Sequence, residues 1–115
     1  MAIERIRKSA RMSQAVVCGN IIYTAGQVAD DSSQDVIGQT QQILSKIDSL
    51  LEEGGSDKSK ILKATIWLSD ISLFNDMNSV WDLWVDQDNP PVRACVESAL
   101  AFPELLVEIM VECSK

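Results

Sequence analysis

The sequence predicts a two-layer α+β domain, with an antiparallel or mixed sheet and two helices on one of its faces. Two segments repeat apolar residues at three- and four-residue steps, the mark of amphipathic helices, and the stretches around them alternate or cluster β-branched residues as strands do. The length, 115 residues, suits one domain over 1–115 rather than two. With 46% apolar and 23% charged residues, such a chain can build a core without disulfides or metal.

Along the chain, Ile3 to Ile6 is a candidate first strand. Ala15-Val16-Val17 and Ile21-Ile22-Tyr23-Thr24-Ala25 follow as two apolar runs around the turn pair Gly19-Asn20. Gly26 comes directly after, where a strand can bulge or a ligand can approach the backbone. The polar run from Asp30 to Asp35 reads as a loop able to cap a helix.

From Val36 the period lengthens. Val36, Thr40, Ile43, Leu44, Ile47, Leu50 and Leu51 fall on one face of a helix of about four turns, which Gly54-Gly55 ends with a left-handed cap. Ile61 to Leu68 then alternates as a strand. Ser72 is the expected cap of a second helix, from Leu73 to about Val85, with Phe74, Met77, Val80, Trp81 and Trp84 as its stripe. Pro90-Pro91 forces an extended exit into two last strands, Val92 to Ala99 and Leu106 to Cys113. The sheet face away from the helices must meet water or another subunit.

Composition narrows the chemistry. There is no histidine, which removes Ser-His-Asp and Cys-His pairs, His-ligated metals and an imidazole base. The net charge of −7 opposes nucleic-acid and anionic-membrane binding. Charge is lopsided, since residues 1–11 carry +3, as expected of a basic terminal strand answering an acidic body. Cys18, Cys95 and Cys113 form no CxxC, and no apolar run is long enough to span a membrane, so a cytoplasmic domain is expected.

In the last strand Leu106, Glu108, Met110 and Glu112 share one face, opposite the wholly apolar Val107, Ile109, Val111 and Cys113. Arg93, Cys95 and Glu97 share a face of the strand before it. If these two strands form a hairpin, Arg93 lies diagonal to Glu108, and an arginine, a thiol and a carboxylate gather on the face away from the helices. The arginine fork suits a carboxylate or phosphate, and a desolvated glutamate is a base. An ion pair of Arg93 with Glu108 or Glu97 is the plainer reading. Likewise the plainer reading of Cys95 is a core filler, of Asn78 a solvated helix residue, and of Trp67, Trp81 and Trp84 core or interface.

The segments from Gly19 to Gln27, Asp70 with Phe74, Met77 and Asn78, Pro91-Val92-Arg93-Ala94-Cys95-Val96-Glu97 and Val107-Glu108-Ile109 together resemble the RidA (reactive intermediate deaminase, also YjgF) family over nearly the whole chain. The resemblance implies a chorismate-mutase-like fold and a homotrimer whose sheets face inward, with clefts between subunits. It also implies hydrolysis of 2-imino or enamine acids such as 2-aminoacrylate to 2-keto acids and ammonia, without metal or cofactor. By position, Arg93 resembles the family arginine that grips the substrate carboxylate, and Glu108 the glutamate that holds the attacking water. Gly26 and the backbone around Cys95 resemble groups that line the ligand, and Asn78 matches a recurrent asparagine placed with the substrate-binding set. The family deaminases often have a tyrosine where this chain has Met12, and a hydroxyl residue where it has Ala25. The resemblance thus implies a less polar pocket and a sister subfamily for bulkier or more apolar imino acids. A trimer that binds small carboxylates without turnover is the alternative. Endoribonuclease activity, attributed to some family members, is disfavoured by the charge and the missing histidine.

Overall fold

The computed structural model describes residues 2–115. The chain opens with an antiparallel meander, β1 (Ile3–Ile6), β2 (Ala15–Cys18) and β3 (Ile21–Thr24). Gly19 at φ 61° makes the β2–β3 turn, the left-handed first position that a two-residue hairpin turn with glycine requires.

Helix α1 (Val36–Glu53) begins where the Asp35 carboxylate accepts the Gly38 N–H, 2.9 Å away. It ends at Gly54 and Gly55. Gly55, at φ 87°, donates to the Glu52 carbonyl and Ser56 to the Leu51 carbonyl, so two carbonyls of the last turn are satisfied. Strand β4 (Ile61–Leu68) leads into a short turn, Ile71–Leu73, and then α2 (Phe74–Trp84). The cap is not Ser72: the Asp70 carboxylate accepts the Ser72 N–H at 2.9 Å, so the serine receives the cap and the chain turns once before α2 starts.

The strand order is β1-β2-β3-β6-β4-β5, with β5 (Val92–Glu97) at an edge and β6 (Val107–Ser114) near the middle. The hairpin expected of the last two strands does not form. A strand–helix–strand crossover returns to the sheet beside its first strand, so β5 lies parallel to β4, and β6 enters between β3 and β4, antiparallel to both.

Both helices cover one sheet face. Ile43, Leu44, Ile47, Leu50 and Leu51 of α1, with Met77 and Trp81 of α2, close over Ile22, Ala64, Ile66, Val107, Ile109 and Val111. The opposite face has no cover in the single chain. It carries rows set by the register: Val16, Tyr23, Glu112 and Lys63; then Met110, Thr65 and Ala94; then Glu108, Trp67 and Val96. Tyr23, Met110 and Val96 are 43%, 37% and 48% exposed there. The basic N-terminal segment meets the acidic body at one point, through Arg7, just past β1, and Glu53 at 2.6 Å. No helix among the described residues is long and apolar enough to cross a membrane.

Candidate functional site

The sequence from Thr24 to Gln27 builds a bulge. Tyr23 pairs with Glu112 and Gln27 with Ile109, leaving three residues on one side of the ladder and two on the other. Thr24 mends the gap, its Oγ1 accepting the Val111 N–H at 3.0 Å. The buried Gln27 amide holds the bulge from behind, donating to Gln14 Oε1 and to the Ala25 carbonyl at 3.0 and 3.1 Å. Gly26 at the bulge lies directly against the Glu108 side chain, where a Cβ would overlap the carboxylate.

Glu108 is half-buried on the open sheet face, in the row with Trp67 and Val96. Burial pushes its carboxyl above the ordinary glutamate value. Among the described residues it has no hydrogen-bond or ion-pair partner, so the side chain is available to a water or ligand.

Arg93 is elsewhere. It pairs across β5 with Ala64, whose side chain is buried under the helices, so Arg93 also points to the helix side. There its Nη1 donates to Asn78 Oδ1 at 2.7 Å, and its Cζ sits 5.3 Å from the Trp81 ring centre and 5.8 Å from that of Phe74. The two rings and the amide come from positions 74, 78 and 81 of one helix, spaced to share a face. No ion pair involves Arg93 among the described residues.

The expectation that Arg93, Cys95 and Glu108 gather on the face away from the helices is therefore corrected. Arg93 and Cys95 pair with Ala64 and Ile66 on the helix side of β4, whereas Glu108 pairs with Trp67 on its other face. The plainer expectation of an ion pair fails too, since the Glu97 carboxylate accepts the Ile71 N–H at 2.9 Å instead. Asn78 is not a free surface residue but the partner of Arg93. Cys95 packs against the core, and burial raises its thiol pKa against a smaller opposing pull from Arg93. Alternate backbone groups of β5, an edge strand, remain for a ligand or another chain.

One chain thus holds two groups: Gly26 with Glu108, and Arg93 with Asn78 and Cys95. Across the sheet they are two strand spacings apart, roughly 9.5 Å, and on opposite faces. The sequence did carry a signal for this, since a strand, a helix and a strand within one short stretch favour a parallel crossover. Phe74 and Trp81 were legible as a stripe but not as the bed of an arginine. Trp81 also meets Trp84 at 5.4 Å, and the Trp84 N–H donates to Asp48 at 3.0 Å. A cavity of about 490 Å³ between α1 and α2, lined by Leu44, Val80, Leu83 and Trp84, includes neither Glu108 nor Arg93.

Comparison with known proteins covers the same span. A family model described as endoribonuclease L-PSP matches residues 2–113. A RutC family protein of Haemophilus influenzae is 45% identical over 112 residues, 96% of this chain and 97% of that protein. The RutC family protein YoaB of Escherichia coli is 42% identical over 111 residues, 96% of each chain. The crystal structure of a YjgF family member from Neisseria meningitidis superposes with a TM-score of 0.97 at 40% identity, covering 100% of this chain and 96% of that one.

Proposed function

The chain belongs to the RidA/YjgF family, and on that premise we propose that it hydrolyses reactive 2-imino acids to 2-keto acids and ammonia. The observation that carries the reading is an arginine without a carboxylate partner and a half-buried glutamate without one, each beside backbone left accessible by an edge strand or a glycine bulge. The first suits the carboxylate of a small acid and the second suits a water.

In the reaction, Arg93 holds the carboxylate of the imino acid and Glu108 orients a water toward the imine carbon. The water oxygen bonds to that carbon and passes a proton to Glu108. Glu108 returns that proton to nitrogen to give the carbinolamine, then relays the carbinolamine's hydroxyl proton to the same nitrogen as the carbonyl forms, the carbon–nitrogen bond breaks and ammonia leaves. An imine carbon is already electrophilic, so positioning and one base suffice. Ala25 and Met12 stand where family deaminases often carry a hydroxyl residue and a tyrosine, which favours apolar side chains on the substrate.

A substrate of this size cannot touch both groups of one chain. The site we propose combines Arg93 of one copy with Gly26 and Glu108 of its neighbour, in a homotrimer whose open sheet faces turn inward. The exposed Tyr23, Met110 and Val96 support that burial. Three cysteines, an odd number with no CxxC, suit a cytoplasmic enzyme.

Mixing subunits tests the reaction and the sharing together. Arg93→Ala and Glu108→Gln proteins should each be inactive toward imines generated in situ by an amino-acid oxidase. Refolded together in equal amounts, they should regain about a quarter of wild-type turnover, because that share of shared sites receives both intact residues. No regain would overturn the shared site, and no wild-type turnover would overturn the deaminase.

Carboxylate binding without turnover is the second reading, favoured by the lack of a hydroxyl at Ala25. Thermal stabilisation by 2-keto acids with no product from imines would establish it. The ribonuclease of the family description finds less support, because this chain has no histidine and a charge of −7.

A further inference from the structure

We infer that Asn78 is a positioning residue whose neutrality keeps Arg93 free to bind an anion. The inference rests on the proposed anchor role of Arg93 and says what makes the anchor work. A half-buried guanidinium on the surface of a protein with 17 acidic side chains would ordinarily pair with one of them. This one does not. Its hydrogen-bond acceptor is an amide oxygen, at 2.7 Å from Nη1, and its flanks are the Phe74 and Trp81 rings.

Each contact removes a freedom without adding a charge. The amide fixes rotation of the guanidinium plane by holding one of its five N–H groups. The rings attract the cation through their electron-rich faces and carry no counter-charge. The remaining donors stay unused within the described residues, enough to hold a planar carboxylate by two parallel bonds. Aspartate has the shape of asparagine, so Asn78→Asp would keep the hydrogen bond and place a carboxylate within ion-pair distance. The internal ion would then compete with the ligand for the same cation.

The test compares Asn78→Asp and Asn78→Leu with wild type. Asn78→Asp should keep or raise the melting temperature, yet weaken binding of 2-oxobutanoate, measured by calorimetry, roughly ten- to a hundredfold. It should raise KM for the imine while leaving kcat within a few fold, a split that a packing defect would not produce. Asn78→Leu should lose binding with a fall in kcat as well, because the fork is no longer held in plane. Wild-type affinity in Asn78→Asp would overturn the inference. If wild type itself binds no carboxylate, the anchor reading fails, and the inference is then judged on the pair alone. Nitrogen NMR should show slow rotation of the Arg93 Nη groups in wild type and fast rotation in Asn78→Leu. Equal rotation in both would overturn the positioning role without reference to any substrate.

Discussion

Gly26 leaves the space that the Glu108 side chain occupies: a Cβ at residue 26 would stand 2.9 Å from Cδ of Glu108 and 3.1 Å from its Cγ. Gly26 is not in the left-handed region, so the backbone itself would accept alanine. What glycine supplies is room, and the side chain that uses it ends in the one carboxylate proposed to act as a base.

Gly26→Ala should therefore damage activity more than stability. The obstructed atoms end a flexible side chain, so Glu108 can swing away with a stability loss of about 1 kcal/mol, at the low end for overpacking. Turnover should fall to the level of Glu108→Gln, and adding that substitution to Gly26→Ala should cost little more. Stopped assays and urea denaturation of the three variants measure this. Full turnover in Gly26→Ala would show that the close approach has no role.

The raised pKa of Glu108 gives opposite pH trends for stability and rate. Desolvation disfavours its ionised form, so the native state holds this proton more tightly than the unfolded chain does. Its share of stability is complete below the unfolded value of about 4.3 and is lost as pH rises through the raised native value. Wild type should accordingly lose stability relative to Glu108→Gln over that interval. Asp31, Asp57 and Asp70, held low by hydrogen bonds from Ser33, Ser59 and Ser72, slope the other way but are common to both proteins. Turnover should rise with pH across the same interval, since the base acts ionised. Parallel stability curves for the two proteins would remove the shift.

Cys95 should be dispensable as a thiol. Burial raises its pKa, so little thiolate exists at neutral pH, and any part it plays in binding belongs to its backbone. Cys95→Ala should retain turnover within about threefold, and iodoacetamide at pH 7 should modify the native Cys95 more slowly than the same residue in urea. Loss of activity in an otherwise stable Cys95→Ala protein would return the sulfur to the mechanism.

Much of the fold was legible because local rules decide it. The 3.6-residue period of Val36 to Leu51, its end at Gly54-Gly55, the Gly19-Asn20 turn and the alternation of Val107 to Cys113 each follow from short-range geometry, and each stands where the sequence places it. The cap before α2 differs from the expectation because Asp70 and Ser72 are both good capping residues, and only the chain's path decides that the aspartate accepts and the Ser72 N–H donates. Arg93, Cys95, Glu108, Gly26 and Asn78 were singled out from the resemblance and from residue chemistry, and how they meet was not.

By itself the sequence determined the elements, which face of each strand is apolar, and the family to which the chain belongs. Periodicity and turn chemistry act within a few residues, and the motif residues are present in the order a family member requires. Only the tertiary structure decided which strands are neighbours. The crossover through α2 set β5 parallel to β4 and let β6 in on the other side. That placement turned Arg93 toward Asn78, Phe74 and Trp81, left Glu108 against Gly26 on the opposite face, and separated two groups that alternation alone would have joined. A period of two states on which side of its own strand a residue lies. It carries no information on which strand comes next, because pairing is chosen by long-range burial and by the handedness of the connection.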